Sequence, residues 1–248
     1  MQAYIFLDLD DTLFQTLKKC AEDDYPHLKL RATLPDGTPN SFATAKQQWL
    51  WQWLARDFKM VAVTARDFHA FGRVDLPFQE DVVLNHGAVI LDKQRNIDAL
   101  WMAKMQAALP FYVEKLMAVW QQVTAFCASD TGFKLRLVDD FDMTWYGVIK
   151  HKSGIEAALL PILHAIKTHE HFVDGSLYWH LNGNNLAILP KIINKQDAVA
   201  YLIARYKQQF SELITFAAGD SQSDAAFLAL CDYALIPTNT QLFKTFIP

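Results

Sequence analysis

Short apolar runs, each closed by a polar residue, glycine or proline, recur along the chain. Tyr4-Ile5-Phe6-Leu7 leads into Asp8, Met60-Val61-Ala62-Val63 into Thr64, and Val82-Val83-Leu84 into Asn85. Further on, Leu213-Ile214-Thr215-Phe216-Ala217 leads toward Gly219-Asp220, and Tyr233-Ala234-Leu235-Ile236 into Pro237. Such runs, without alternation, predict strands buried on both faces, the habit of parallel sheets. Their polar ends fall where open α/β sheets place ligands. Helical patterns separate them over 43–55, 198–206 and 225–230. The first carries Trp49 and Trp53 at i, i+4 beside Leu50 and Leu54, and core packing is expected for that face. Strand–helix alternation at both ends predicts an α/β fold: one doubly wound parallel sheet assembled from residues 1–86 and 188–248.

The middle of the chain has a different period. Residues 99–126 read as helix, with Pro110 restarting a second helix at its first turn. Phe133, Leu135 and Leu137 alternate with polar residues, as in a half-buried strand; 139–142 reads as a turn and 143–149 as its partner strand. Residues 155–166 are helical. Strands are expected at 172–181 and 186–189 around Asn182-Gly183-Asn184. Helix, hairpin, helix, hairpin predicts a separate α+β module inserted at 87–187. His169-Glu170-His171 is read as a helix end with solvated side chains.

Composition narrows the function classes. Apolar residues make up 52% of the 248 positions and the net charge is −4, which excludes a disordered chain. Mild acidity gives no reason to bind nucleic acid or an anionic membrane. There is no run of apolar residues long enough for a membrane span. The 3 cysteines lie far apart and form no Cys-x-x-Cys, so neither a disulfide framework nor a zinc site is expected, and a cytoplasmic setting is. Asp occurs 21 times against 6 for Glu; most are expected in turns and caps, but a few follow strands directly.

Four segments carry candidate chemistry. Asp8-Leu9-Asp10-Asp11-Thr12 follows the first strand. Two carboxylates two apart repel unless a cation or shared proton compensates, which suits a nucleophile beside a general acid/base, although a helix cap would read the same. In Thr64-Ala65-Arg66, the hydroxyl and the N–H groups of the turn can hold a phosphate oxygen, or form an ordinary turn. Lys195 opens a helix and can offset anionic charge, or be solvated. In Gly219-Asp220-Ser221-Gln222-Ser223-Asp224, Gly219 permits a tight turn, Asp220 can meet a metal and Asp224 can support it, or the segment starts a helix.

In this order, these segments resemble the four motifs of the haloacid dehalogenase-like superfamily, and the resemblance spans the whole chain. It is strongest for phosphatases with a large α/β cap, a group that includes sugar-phosphate phosphatases. Asn85-His86-Gly87-Ala88 looks like the turn where such caps begin. The resemblance implies that Asp8 attacks phosphorus and that Asp10 protonates the leaving alcohol and then activates water. It implies Mg²⁺ held by Asp8, the Asp10 carbonyl and Asp220, with Asp224 in support. Thr64, Lys195 and the N–H groups near Leu9, Asp10 and Ala65 would hold phosphoryl oxygens. Substrate residues are expected at Arg66 and, on the cap, at Trp145, Lys150, His180, Asn182 and Asn184; Tyr146, His151 and Lys152 are further candidates.

Two departures are mild: Asp11 stands where many relatives have Gly, and Ala65 where Gly is frequent. The stretch 18–40 is longer than a compact relative needs; its Pro and Gly predict an ordered loop with turns, bordering either the site entrance or open surface. The expected partner is a small phosphorylated metabolite such as a sugar phosphate, and the expected assembly is a monomer or small homo-oligomer. A phosphotransferase or mutase on the same scaffold, and a phospho-accepting signalling domain, are the alternative activities.

Overall fold

The computed structural model describes residues 1–246 and divides the chain into two compact units. One comprises Met1–Ala99 and the segment from Asn194 onward; the other is Leu100–Ile193. In the first unit the chain forms β1 (Gln2–Leu7), β2 (Gln15–Thr16), β3 (Lys29–Thr33), β4 (Pro39–Ala43), α1 (Ala45–Asp57), β5 (Lys59–Val63), α2 (Phe68–Phe71), β6 (Val82–Leu84) and β7 (Val89–Leu91). The second unit contains α3 (Ala99–Ala108, whose first residue still belongs to the first unit), α4 (Pro110–Cys127), β8 (Phe133–Asp140), β9 (Met143–His151), α5 (Leu160–Ile166), α6 (Glu170–Val173), β10 (Leu177–Leu181) and β11 (Leu186–Pro190). The chain then returns through α7 (Lys195–Gln209), β12 (Leu213–Ala218), α8 (Ala225–Leu228) and β13 (Tyr233–Leu235).

The main sheet has the order β13-β12-β1-β5-β6-β7. All its pairs are parallel except β6 with β7. The five apolar runs supply the five parallel strands, and those of β1, β5 and β6 are almost wholly buried because the sheet is covered on both faces. Tyr206 of α7 stacks on Tyr4 of β1 with ring centroids 4.2 Å apart, and burying such side chains contributes about 1.5–3 kcal/mol each. Strand β1 sits where the order reverses, with β5 on one side and β12 on the other. Its carboxyl end is therefore the crevice in which doubly wound sheets bind ligands.

Both boundaries lie later than 86 and 188: the first segment of the core runs further and its second segment begins later. After the turn at 85–87 the chain doubles back as β7 and adds an antiparallel edge strand, so the first unit runs to residue 99. On the return, Lys191 N–H donates to the Ser176 carbonyl and the Tyr178 hydroxyl to the Ile193 carbonyl, which keeps 188–193 with the second unit.

Other expectations need correction. In α1 the buried residues are Trp51 and Leu54, whereas Trp49 is 66% exposed and stacks on Trp53 at the surface. Helix α1 starts where Thr44 and Gln47 form a reciprocal capping box. The stretch around 18–40 is no plain loop: β2, β4 and β3 form a three-stranded antiparallel sheet. Residues 172 and 173, expected in a strand, belong to α6, and His169 caps the start of that helix by accepting from the His171 N–H.

The second unit is a four-stranded antiparallel sheet, β10-β11-β9-β8, with α4 and α5 packed on one face. Leu116, Val119, Trp120 and Val123 meet Ile149, Leu177, Leu186 and Ile188 there. Among the described residues no helix is long and apolar enough to cross a membrane.

Candidate active site

Asp8 emerges from β1 buried, its N–H bonded to the Ala218 carbonyl of β12 at 2.9 Å. Parallel pairing thus brings the ends of β1 and β12 side by side. Asp8, Asp220 and Asp224 are all buried, and one carboxylate oxygen from each lies within 4.8 Å of the others. Lys195, the first residue of α7, places its Nζ 2.6 Å from Asp8 Oδ1 and 2.7 Å from Asp224 Oδ1. Thr12 Oγ1 donates to Asp8 Oδ2 at 3.1 Å. The second Asp224 oxygen accepts from the Asp220 N–H, the Ser221 N–H and the Ser221 hydroxyl at 2.8–3.1 Å. Asp224 is therefore committed to holding the loop and the lysine, while no described hydrogen bond reaches the Asp220 carboxylate.

Three buried carboxylates face one ammonium, an excess of two negative charges. Burial raises Asp8 to about 7 against the pull of Lys195, and burial with the neighbouring Asp8 and Asp224 charges raises Asp220 to about 8. Burial opposes the charge on Lys195 as well, but Asp224 and Asp8 outweigh it and raise the ammonium. Asp224 is lowered despite its burial, by Lys195 and the Ser221 donors. Oxygen donors with uncompensated charge are a hard-cation site, so the cluster can hold a divalent metal ion.

Glycines make the close approaches possible. At residues 85–87 the backbone takes three successive left-handed conformations, ending with Gly87 at φ 106°. A Cβ on Gly87 would stand 2.1 Å from the Asn194 carbonyl oxygen, just before Lys195. A Cβ on Gly219 would stand 2.6 Å from that of Asp224.

Thr64 is buried at the end of β5, and its hydroxyl accepts the Arg66 N–H at 3.1 Å. Leu9 is buried beneath the first loop, and Ala65 is partly exposed beside Thr64. Asp10 turns away from the buried trio: its side chain is 49% exposed and paired with Arg66. That pairing makes Arg66, expected from sequence at the substrate, a partner of the first motif. Asp11 has φ 64°, the left-handed conformation glycine adopts freely, and pairs with Lys19 at 2.5 Å. Lys19 lies between β2 and β3, so this ion pair ties the 18–40 stretch to the first motif. Sequence reasoning gave no role to Thr12 or Ser221; their spacings, four after Asp8 and three before Asp224, were the available signal.

The cap candidates divide. Trp145 is fully buried, and its indole N–H donates to the Asp140 carbonyl at 2.9 Å, which engages it within the hairpin. Tyr146 is buried as well. Asn184 exchanges two hydrogen bonds with the His151 backbone, at 2.9 and 2.8 Å, and latches the β10–β11 turn to β9. The Asn182 N–H closes that turn on the Asn185 carbonyl. His151 is engaged with Ser153 at 2.8 Å, and Lys152 donates its N–H to the Gly132 carbonyl. Lys150 and His180 remain on the sheet face opposite the helices, Lys150 exposed and His180 partly so.

The profile of the family described as sucrose-6F-phosphate phosphohydrolase matches residues 1–242. A glucosyl-3-phosphoglycerate/mannosyl-3-phosphoglycerate phosphatase of Methanococcoides burtonii is 29% identical over 110 residues, 42% of this chain and only 36% of that relative. Among solved structures, the Synechocystis sucrose-phosphatase in complex with sucrose and phosphate superposes with a TM-score of 0.53 at 12% identity, over 99% of this chain and 96% of that one. The C-terminal domain of C. albicans trehalose-6-phosphate phosphatase gives a TM-score of 0.60 at 12% identity, over 91% and 72%. At such identities the structures speak for the shared fold alone. The match across nearly the whole chain carries the assignment: this protein belongs to the sucrose-6F-phosphate phosphohydrolase family, and is a phosphatase of the haloacid dehalogenase-like superfamily.

Proposed function

We propose that the chain is a Mg²⁺-dependent phosphomonoesterase that releases phosphate from a small phosphorylated sugar through an aspartyl-phosphate on Asp8. The observation that carries the reading is the buried trio Asp8, Asp220 and Asp224 facing the single cation Lys195. Asp8, Asp220 and the Asp10 carbonyl would hold Mg²⁺, with Asp224 supporting through Lys195 and the loop. The cation would neutralise charge between Asp8 and the phosphoryl group. An Asp8 carboxylate oxygen attacks phosphorus as the ester oxygen departs. Asp10 gives that oxygen its proton and then takes one from the water that hydrolyses the intermediate. Thr64, Lys195 and the N–H groups of Leu9, Asp10 and Ala65 hold the phosphoryl oxygens, because phosphoryl transfer asks chiefly for positioning and charge stabilisation. The names of the relatives support a sugar phosphate as substrate. The free thiols of Cys20, Cys127 and Cys231 suit a reducing cytoplasm.

The test is phosphate release from sucrose 6-phosphate, trehalose 6-phosphate and glucosyl-3-phosphoglycerate, with Mg²⁺ and with EDTA, beside Asp8→Asn. Mg²⁺-dependent release that disappears in the variant is expected. Release that survives EDTA, or survives in the variant, would overturn the reading.

A further inference from the structure

The carboxylates of the first motif do not share one cation. Asp8 takes Lys195 from α7, Asp11 takes Lys19 from beyond β2, and Asp10 takes Arg66 from the loop after β5. The Arg66–Asp10 pair is a two-pronged fork: Nε donates to Oδ2 at 2.8 Å and Nη2 to Oδ1 at 2.7 Å. Two parallel bonds from a planar group fix the direction and the rotation of a carboxylate, which a single bond does not.

The arm carrying the fork is braced. Arg66 Nη1 donates to the Ala70 carbonyl at 3.2 Å, and the guanidinium lies over the Phe14 ring at 5.2 Å. Its backbone is fixed too, with the N–H on Thr64 Oγ1 at 3.1 Å and the carbonyl accepting from the Asn85 N–H at 2.9 Å. The arginine side chain is 14% exposed and the aspartate 49%. An ordinary surface pair joins two mobile side chains and contributes little; here a mostly buried arm holds a half-exposed carboxylate. The same pull keeps the Asp10 carboxylate out of the buried trio, leaving that cluster to Asp8, Asp220 and Asp224.

We propose that Arg66 is a positioning residue that sets the Asp10 carboxylate in the orientation from which it serves the leaving group. This rests on the reading of Asp10 as the general acid/base. Correct orientation of a catalytic group matters most when the leaving group needs its proton most. A sugar or alkyl phosphate, expelling a basic alkoxide, therefore depends on Arg66, and an aryl phosphate does so weakly.

The experiment measures kcat and KM for Arg66→Ala and Arg66→Lys on matched alkyl and aryl phosphates, in the full chain with Mg²⁺, after thermal melting has shown each variant folded. Arg66→Ala is expected to lose about tenfold to hundredfold more kcat on alkyl than on aryl substrates, within the ~10²–10⁴ that general acid catalysis supplies. KM and the Mg²⁺ midpoint should hold, and added guanidinium should restore part of the loss. Arg66→Lys, which keeps the charge but not the fork, should fall between. Equal losses on both classes, a raised KM with unchanged kcat, or no loss would each overturn the proposal, the second by making Arg66 a substrate ligand. Asp10→Asn in the same assay separates the two levels: alkyl turnover that survives there refutes Asp10 as the acid itself.

Discussion

Helix α7 carries a cation near each end, and the two meet opposite surroundings. At its first residue, Lys195 faces Asp8 and Asp224, with Asp220 adjacent and its carboxyl without a described hydrogen bond. Near its last turn, Arg205 faces Asp81 at 2.7 Å and Asp98 at 2.6 Å. There the Tyr206 hydroxyl donates to Asp81 and the Tyr201 hydroxyl to Asp98. Burial and the Asp81 charge hold the Tyr206 phenol protonated far above its ordinary range, so it stays a donor. Each carboxylate at this end has both a cation and a hydroxyl. At the Lys195 end, by contrast, no described hydrogen bond reaches the Asp220 carboxyl, and Asp8 and Asp220 are both raised above the ordinary carboxylate range. One end is satisfied by the chain itself and ties α7 to the start of β6; the other presents a buried carboxyl cluster that could hold a cation. Buried polar groups left short of partners are costly and mark functional sites when they cluster at strand ends.

The comparison breaks hardest at Asp8. Asp8→Asn should lower turnover by at least ~10³-fold, as loss of a nucleophile does, yet leave the metal-free thermal midpoint unchanged or raised, because it removes buried charge. A midpoint several degrees lower would make Asp8 structural. Next in size is pH. Asp8 and Asp220 hold protons in the folded state up to about 7 and about 8 against an ordinary 3.8. Their contribution to stability is therefore complete below about pH 4 and is lost as pH rises through those values. Chemical denaturation of metal-free protein from pH 5 to pH 9 should show this decline, and Mg²⁺ should remove it. At the Arg205 end, Asp81→Asn should cost about 3 kcal/mol, as breaking a buried pair does, with kcat of the folded protein unchanged; a specific loss of kcat would tie this end to catalysis. Smallest is Gly87→Ala, about 1–3 kcal/mol from left-handed strain, together with reduced activity because the new methyl pushes on Asn194 and shifts Lys195. Full activity in that variant would show that the turn does not set the lysine.

The sequence made legible what short local patterns encode. Each of the five apolar runs became a parallel strand, and two of the residues that close them, Asp8 and Asp220, belong to the buried trio, because a buried strand and the candidate ligand at its end share one segment. The resemblance then located Lys195, 187 positions from Asp8, which no local pattern could. Long-range pairings stayed hidden: Arg66 and Asp10 lie 56 positions apart, and a Thr-Ala-Arg turn does not announce which carboxylate its arginine meets. The small sheet of β2, β3 and β4 was missed because β2 has only two residues and β3 pairs with register shifts, so neither shows a clean period. The burial of Trp145 stayed hidden because an aromatic on a hairpin suits a ligand or a core equally until its packing is known.

The most direct measurement is calorimetric titration of Mg²⁺ into the metal-free protein and its Asp220→Asn variant near pH 7.5, in two buffers of different ionisation enthalpy. The account expects one Mg²⁺ bound per chain with net proton release, since the carboxyls it meets hold protons near that pH, and greatly weakened binding in the variant. Binding of equal strength in both proteins, or binding without proton release, would contradict the claim that uncompensated charge at the Lys195 end is what calls for the metal.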